Sequence, residues 1–146
     1  MEKVFHFDSP PEGYAADAVV LCCFDERIRL AVNKFLQRQG IRHPDMIIVA
    51  GGAKTLASPE SDFERDYILN LVRKSMHLHM TKRLFLMTHS DCGTYGGLSA
   101  FKGDPSAEMS HHQKELQRAA ELVLATFPEL KVDCFFVNFD GVYASK

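Results

Sequence analysis

Ala18-Val-Val-Leu-Cys-Cys-Phe-Asp-Glu-Arg27 is the stretch on which the fold turns. Its first six residues form an unbroken apolar run of the length expected for a strand buried on both faces. The run stops abruptly at polar Asp25-Glu26-Arg27, and a helical pattern follows: over residues 27–39, Ile28, Leu30, Val32, Phe35 and Leu36 recur at helical spacing, and Gly40 is placed to end the helix. The same sequence of events repeats downstream. Met46-Ile-Ile-Val-Ala50 reads as a second buried strand leading into Gly51-Gly52. A helix from about 61 to 77 presents Phe63, Tyr67, Leu71 and Val72, and Ser61 with Glu64 forms a capping box at its start. Arg83-Leu-Phe-Leu-Met-Thr88 is the third strand, and a glycine-rich stretch over 93–103 precedes a long helix at 107–127. Residues 131–139 read as the last strand.

Apolar strands alternating with helices predict a parallel sheet covered on both faces. The expectation is therefore a single α/β domain, Rossmann-like, with helices on both faces of a parallel β-sheet. We assign it to residues 17–146, with 1–16 as an N-terminal arm. The length of 146 residues suits one core. Charged residues make up 25% and hydrophobic residues 46%, ordinary values for a soluble domain. A net charge of −2 gives no electrostatic reason to expect nucleic acid. No apolar run approaches the roughly 20 residues of a membrane span. The first fourteen residues are polar, carry Pro10 and Pro11 and lack a signal peptide's apolar core, so we expect a cytoplasmic protein with no membrane partner. Four cysteines are too few for a disulfide scaffold, and in a reducing compartment such residues serve metal, catalysis or the core.

In parallel sheets, sites gather in the loops at the carboxyl ends of strands. Three such loops are expected here: 23–27, 51–54 and 89–97. The first reads Cys23-Phe-Asp25-Glu-Arg27, where i and i+2 side chains of extended chain address one point. The third reads His89-Ser-Asp-Cys92-Gly93, whose short spacer lets a tight turn present both ligand-type side chains to one ion. Two thiolates, an imidazole and a carboxylate make a donor set suited to tetrahedral Zn²⁺. Gly51-Gly52 matches neither phosphate-binding glycine pattern, which argues against nucleotide binding. Lys54 is a candidate for attracting an anion. Cys22, pointing opposite to Cys23, and Cys134, within a strand, read as core. Asp91 either faces solvent or orients a neighbour. His77, His79, His111 and His112 read as surface histidines.

Cys23-Phe-Asp25-Glu-Arg27 followed by His89-Ser-Asp-Cys92-Gly93 resembles the zinc motif of the β-class carbonic anhydrases. The likeness extends over about residues 16–143. It takes in the Ala-Gly-Gly turn at 50–52 and the tail Phe136-Val-Asn-Phe-Asp-Gly-Val-Tyr143, which is similar to that family's last strand and its turn. The resemblance implies Cys23, His89 and Cys92 as zinc ligands. Asp25 would either bind zinc and close the site or pair with Arg27 and leave a coordinated water. It further implies a lyase (carbonate dehydratase) that hydrates CO₂ reversibly to bicarbonate by a zinc-bound hydroxide. Asp25 would orient the hydroxide, and the Gly93 N–H would help hold a substrate oxygen. A homodimer or higher homo-oligomer is implied as well. Departures from the family are a missing Arg-Asn pair before Gly51 and a short N-terminal arm. Two other readings stand beside this one: a relative whose metal site is structural or regulatory and lacks hydratase activity, and a hydrolase acting on another small substrate.

Overall fold

The computed structural model describes residues 1–145; Lys146, the final position of the expected domain, lies outside the described residues. In chain order the elements are β1 (Ala18–Cys22), α1 (Glu26–Arg38), β2 (Pro44–Ile48), α2 (Lys54–Ala57), α3 (Asp62–His79), β3 (Arg83–His89), two single 3₁₀ turns (Gly93–Tyr95 and Leu98–Phe101), α4 (Pro105–Thr126), β4 (Lys131–Asn138) and β5 (Gly141–Ser145). One five-stranded sheet runs in the order β2-β1-β3-β4-β5. Its first four strands are parallel, as expected.

The fifth strand corrects the wholly parallel sheet. β5 pairs antiparallel with β4, from Cys134 opposite Ser145 to Asn138 opposite Gly141. Only Phe139 and Asp140 separate the two strands, and so short a connection permits nothing but a hairpin. Tyr143 donates its hydroxyl to Asp140 at 3.0 Å across that turn.

The alternation of side chains along each strand divides the core in two. Val19, Leu21, Leu84 and Leu86 point to one face, where they pack with Ile68 and Val72 of α3 and Leu116, Ala119 and Val123 of α4. Ala18, Val20, Phe85 and Met87 point to the other and meet Ile28, Val32 and Leu36 of α1. Cys22 lies with this second group, in the core as read from its position. Helices thus cover both faces, and β1 and β3, lying side by side in the middle, are buried throughout apart from Arg83.

Local signals account for the helix ends. Ser61 accepts a hydrogen bond from the Glu64 N–H at 3.2 Å, and Glu64 reaches back to the Glu60 N–H at 2.8 Å. Asp104 caps α4 through the Ser106 and Ala107 N–H groups, with Pro105 in the first turn where its missing donor costs nothing. The face of α3 differs from the expected one. Ile68, Leu69, Val72 and Ser75 are buried, whereas Phe63 and Tyr67 stand exposed, stacked on each other at 6.2 Å. Both aromatics sit in the first turns of α3, before the stripe that meets the sheet begins. Among the described residues no helix is long and apolar enough to cross a membrane.

Candidate metal centre

Because β1 and β3 are adjacent and parallel, the loops that leave their carboxyl ends open side by side. The loop after β1 carries Cys23, and β3 ends on His89 with Cys92 three residues beyond. All three side chains are buried, and their ligand atoms lie within 4.8 Å of one another. No other group of three His, Cys, Asp or Glu side chains converges in this way among the described residues.

Glycine makes the triangle possible. Gly52 has φ +56°, and a Cβ there would fall 2.5 Å from the Met87 carbonyl oxygen and 2.9 Å from the Cys23 nitrogen. The turn after β2 therefore runs against the backbone beneath Cys23, and only a residue without a side chain fits. This close approach also brings the Gly51 N–H to within 3.3 Å of Cys23 Sγ. The Thr94 hydroxyl stands 3.1 Å from Cys92 Sγ. Each sulfur thus has a donor beside it.

The histidine is equally prepared. His89 Nδ1 lies 2.8 Å from the Ser90 carbonyl oxygen, a contact that requires a proton on Nδ1 and leaves the Nε2 lone pair free. Nε2 is buried without a hydrogen-bond partner. An orphaned imidazole lone pair between two thiols is what a metal-binding site looks like before the metal enters. The hydrogen bond from Cys23 pulls the Cys92 thiol well below its ordinary range, against the opposing effect of burial, with His89 and Thr94 adding to the pull. Cys23 moves up, since it holds the proton that Cys92 shares and is itself buried. A divalent cation in place of that shared proton would leave both sulfurs as thiolates. Two sulfurs and one nitrogen match the preference of Zn²⁺.

Asp25 reaches this centre by a different route from strand alternation. β1 ends at Cys22, and Asp25 is the N-cap of α1, accepting the Arg27 N–H at 2.9 Å. Its Oδ2 comes to 3.9 Å from His89 Nε2, yet both carboxylate oxygens are held by Arg27. The guanidinium donates through Nε at 3.0 and 3.1 Å and through NH2 at 2.7 Å. These bonds hold the Asp25 carboxyl down at about 2. Arg27 also donates through NH1 to Asp91 Oδ2 at 2.9 Å, and its guanidinium lies 5.3 Å from the Phe139 ring centroid.

Gly93 opens the first 3₁₀ turn beside Cys92, and a Cβ added to it would meet nothing within 4 Å. Cys23, Asp25, Arg27, Cys92, Gly93 and Thr94 line a cleft of about 700 Å³ above the triangle. Lys54 turns elsewhere: its Nζ donates to the Ser58 carbonyl at 2.8 Å.

Two histidine readings need correction. His112 is fully buried, its ring 4.5 Å from that of Tyr95 and 5.1 Å from that of Phe136. His79 is half-buried and contacts Asp45 at 2.8 Å. Asp91 orients a neighbour, Arg27. Sequence reasoning missed Glu108, a carboxylate buried on α4 that accepts the Ser90 hydroxyl at 2.6 Å and the Asp91 N–H at 2.7 Å. Its one sequence signal was an acidic residue on the apolar side of a helix.

Comparison with known proteins bears on the family and the fold. Residues 15–144 match the family described as "Putative carbonic anhydrase". An uncharacterised protein of Rickettsia bellii is 25% identical over 130 residues, covering 87% of this chain and 79% of its own. The crystal structure of a carbonic anhydrase from Streptococcus mutans superposes with a TM-score of 0.64 at 12% identity, over 97% of this chain and 88% of the other. A β-carbonic anhydrase isoform of Trichomonas vaginalis gives 0.63 at 15% identity, over 95% and 87%. At such identities the superpositions speak for the fold alone.

Proposed function

The chain belongs to the β-carbonic anhydrase family as a short, divergent member, and from that premise we propose that it is a zinc-dependent lyase interconverting CO₂ and bicarbonate. Cys23, His89 and Cys92 would hold the ion, and the observation that carries the reading is their buried triangle with the partnerless His89 Nε2 at its corner. Zinc, when bound, supplies the Lewis acidity that brings deprotonation of water into the neutral range.

The chain's own residues then divide the remaining work. Gly51 and Thr94 steady the two sulfurs through hydrogen bonds. Arg27 keeps Asp25 ionised and turned to the guanidinium, so the carboxylate is an acceptor beside the reacting position instead of a fourth ligand. The cleft bordered by Gly93 and Thr94 admits a small substrate to the triangle. A homodimer or higher oligomer in the cytoplasm belongs to the same proposal.

The test is stopped-flow CO₂ hydration on protein of measured zinc content. One zinc per chain with activity supports the lyase. One zinc without activity on CO₂ overturns it in favour of a structural or regulatory site, and turnover of carbon disulfide or a small ester in its place would change the substrate.

A further inference from the structure

Resting on that reading of the metal centre, we propose that Asp91 is a positioning residue. Anchored from beneath by Glu108, it fixes Arg27 in the orientation that holds Asp25 away from the metal position.

A guanidinium held only by Asp25 would be free to swing with it, since both belong to the start of one helix and Arg27 is half exposed. An isolated exposed ion pair contributes little and fixes little. Here the guanidinium has a second, independent anchor from the other loop. NH1 donates to Asp91 Oδ2 at 2.9 Å and NH2 to the Asp91 carbonyl oxygen at 3.0 Å. The fork is thereby tied at both ends, and its plane is set by geometry that one carboxylate cannot impose.

Asp91 is itself immobilised. It sits at φ +54°, a left-handed conformation uncommon outside glycine. Its Oδ1 accepts the Leu98 N–H at 2.9 Å, and its own N–H goes to Glu108 Oε1 at 2.7 Å. Gly97 must be glycine for this packing, because a Cβ there would lie 2.8 Å from Asp91 Oδ1. Glu108 is 1% exposed and also takes the Ser90 hydroxyl, so residues 90 and 91 are both pinned by a carboxylate rooted in α4. The relay therefore runs from a buried helix, through Asp91 and Arg27, to a carboxylate whose Oδ2 is 3.9 Å from the imidazole nitrogen of the site.

The test uses cobalt-substituted protein, with azide as probe and visible absorption as readout. Wild type should bind azide. Asp91→Asn, which tolerates the left-handed backbone, should keep full cobalt but bind azide about tenfold more weakly, because the released Asp25 competes for the same position. Adding Asp25→Ala to Asp91→Asn should restore wild-type affinity. A merely structural Asp91 would show no such rescue. Azide affinity in Asp91→Asn equal to wild type, weakening that Asp25→Ala fails to reverse, or a wild type that binds cobalt yet ignores azide, each overturns the proposal alone. Failure of wild type to bind cobalt overturns the metal centre itself and the proposal with it.

Discussion

Asp25 Oδ2 stands 3.9 Å from His89 Nε2, close to the ligand triangle, while the Arg27 guanidinium takes both of its oxygens at 2.7–3.1 Å. Proximity to the site and attachment elsewhere are combined in one side chain. Replacing Arg27 by Ala removes the restraint without touching Cys23, His89 or Cys92. Zinc content should stay near that of wild type, while CO₂ hydration should fall by roughly ten- to a hundredfold, the usual cost of losing a group that orients a residue at a metal. Metal analysis beside stopped-flow rates checks both halves.

Cys92→Ser should lose the metal. Serine is a poor ligand for zinc, and its hydroxyl, far harder to deprotonate, cannot replace a sulfur whose thiolate form Cys23 and His89 favour. Zinc per chain after dialysis should drop to background, and added zinc should no longer raise the melting temperature, since stabilisation by a ligand requires binding to the folded state. Retention of full zinc would remove Cys92 from the centre.

Two glycines give opposite expectations. Gly52→Ala forces a side chain into the Met87 carbonyl and the Cys23 nitrogen at positive φ, and should destabilise the fold by about 2–4 kcal/mol while weakening metal binding. Gly93→Ala meets nothing within 4 Å and should leave stability within about 0.5 kcal/mol. Chemical denaturation of both variants decides.

Acid should find His112. Burial, aided by the neighbouring His111, pushes its pKa down to about 4 from an ordinary value of 6.5. The unfolded chain therefore takes up a proton at a pH where the folded chain refuses it, and stability is lost as pH falls from 6.5 towards 4, with a slope on the order of 1 kcal/mol per pH unit. Below about 4 both states are protonated and the loss is complete. His112→Phe, which suits the aromatic surroundings, should flatten the stability profile over that window in urea titrations at stepped pH.

What the sequence disclosed and what it hid follow from the range of the interactions. β1 and β3 were legible because a strand buried on both faces must be apolar throughout, and the ligand-type residues stand at the ends of these same runs. β5 was hidden because a half-exposed edge strand of five residues has neither a continuous run nor a clean alternation. Phe63 and Tyr67 misled because large aromatics imply a buried face only where a helix meets its sheet. His112 read as a surface residue and Glu108 drew no reading, since the partners that justify their burial come from a loop or strand distant in sequence. Arg27 with Asp25 was legible through the family likeness of Cys23-Phe-Asp25-Glu-Arg27; Arg27 with Asp91, 64 positions apart, was not.

The adjacency of β1 and β3 has a topological meaning for the chain as a polymer. A metal joining Cys23 to Cys92 would close a loop of about seventy residues containing α1, β2, α2, α3 and β3, a ring that lasts only while the folded sheet holds both sulfurs at one point. Unfolding that opened the ring would forfeit the binding free energy of the metal, with α4, β4 and β5 outside the closure. Zinc would serve this small sheet as a removable staple, tightening its amino-terminal half whether or not a substrate ever enters the cleft.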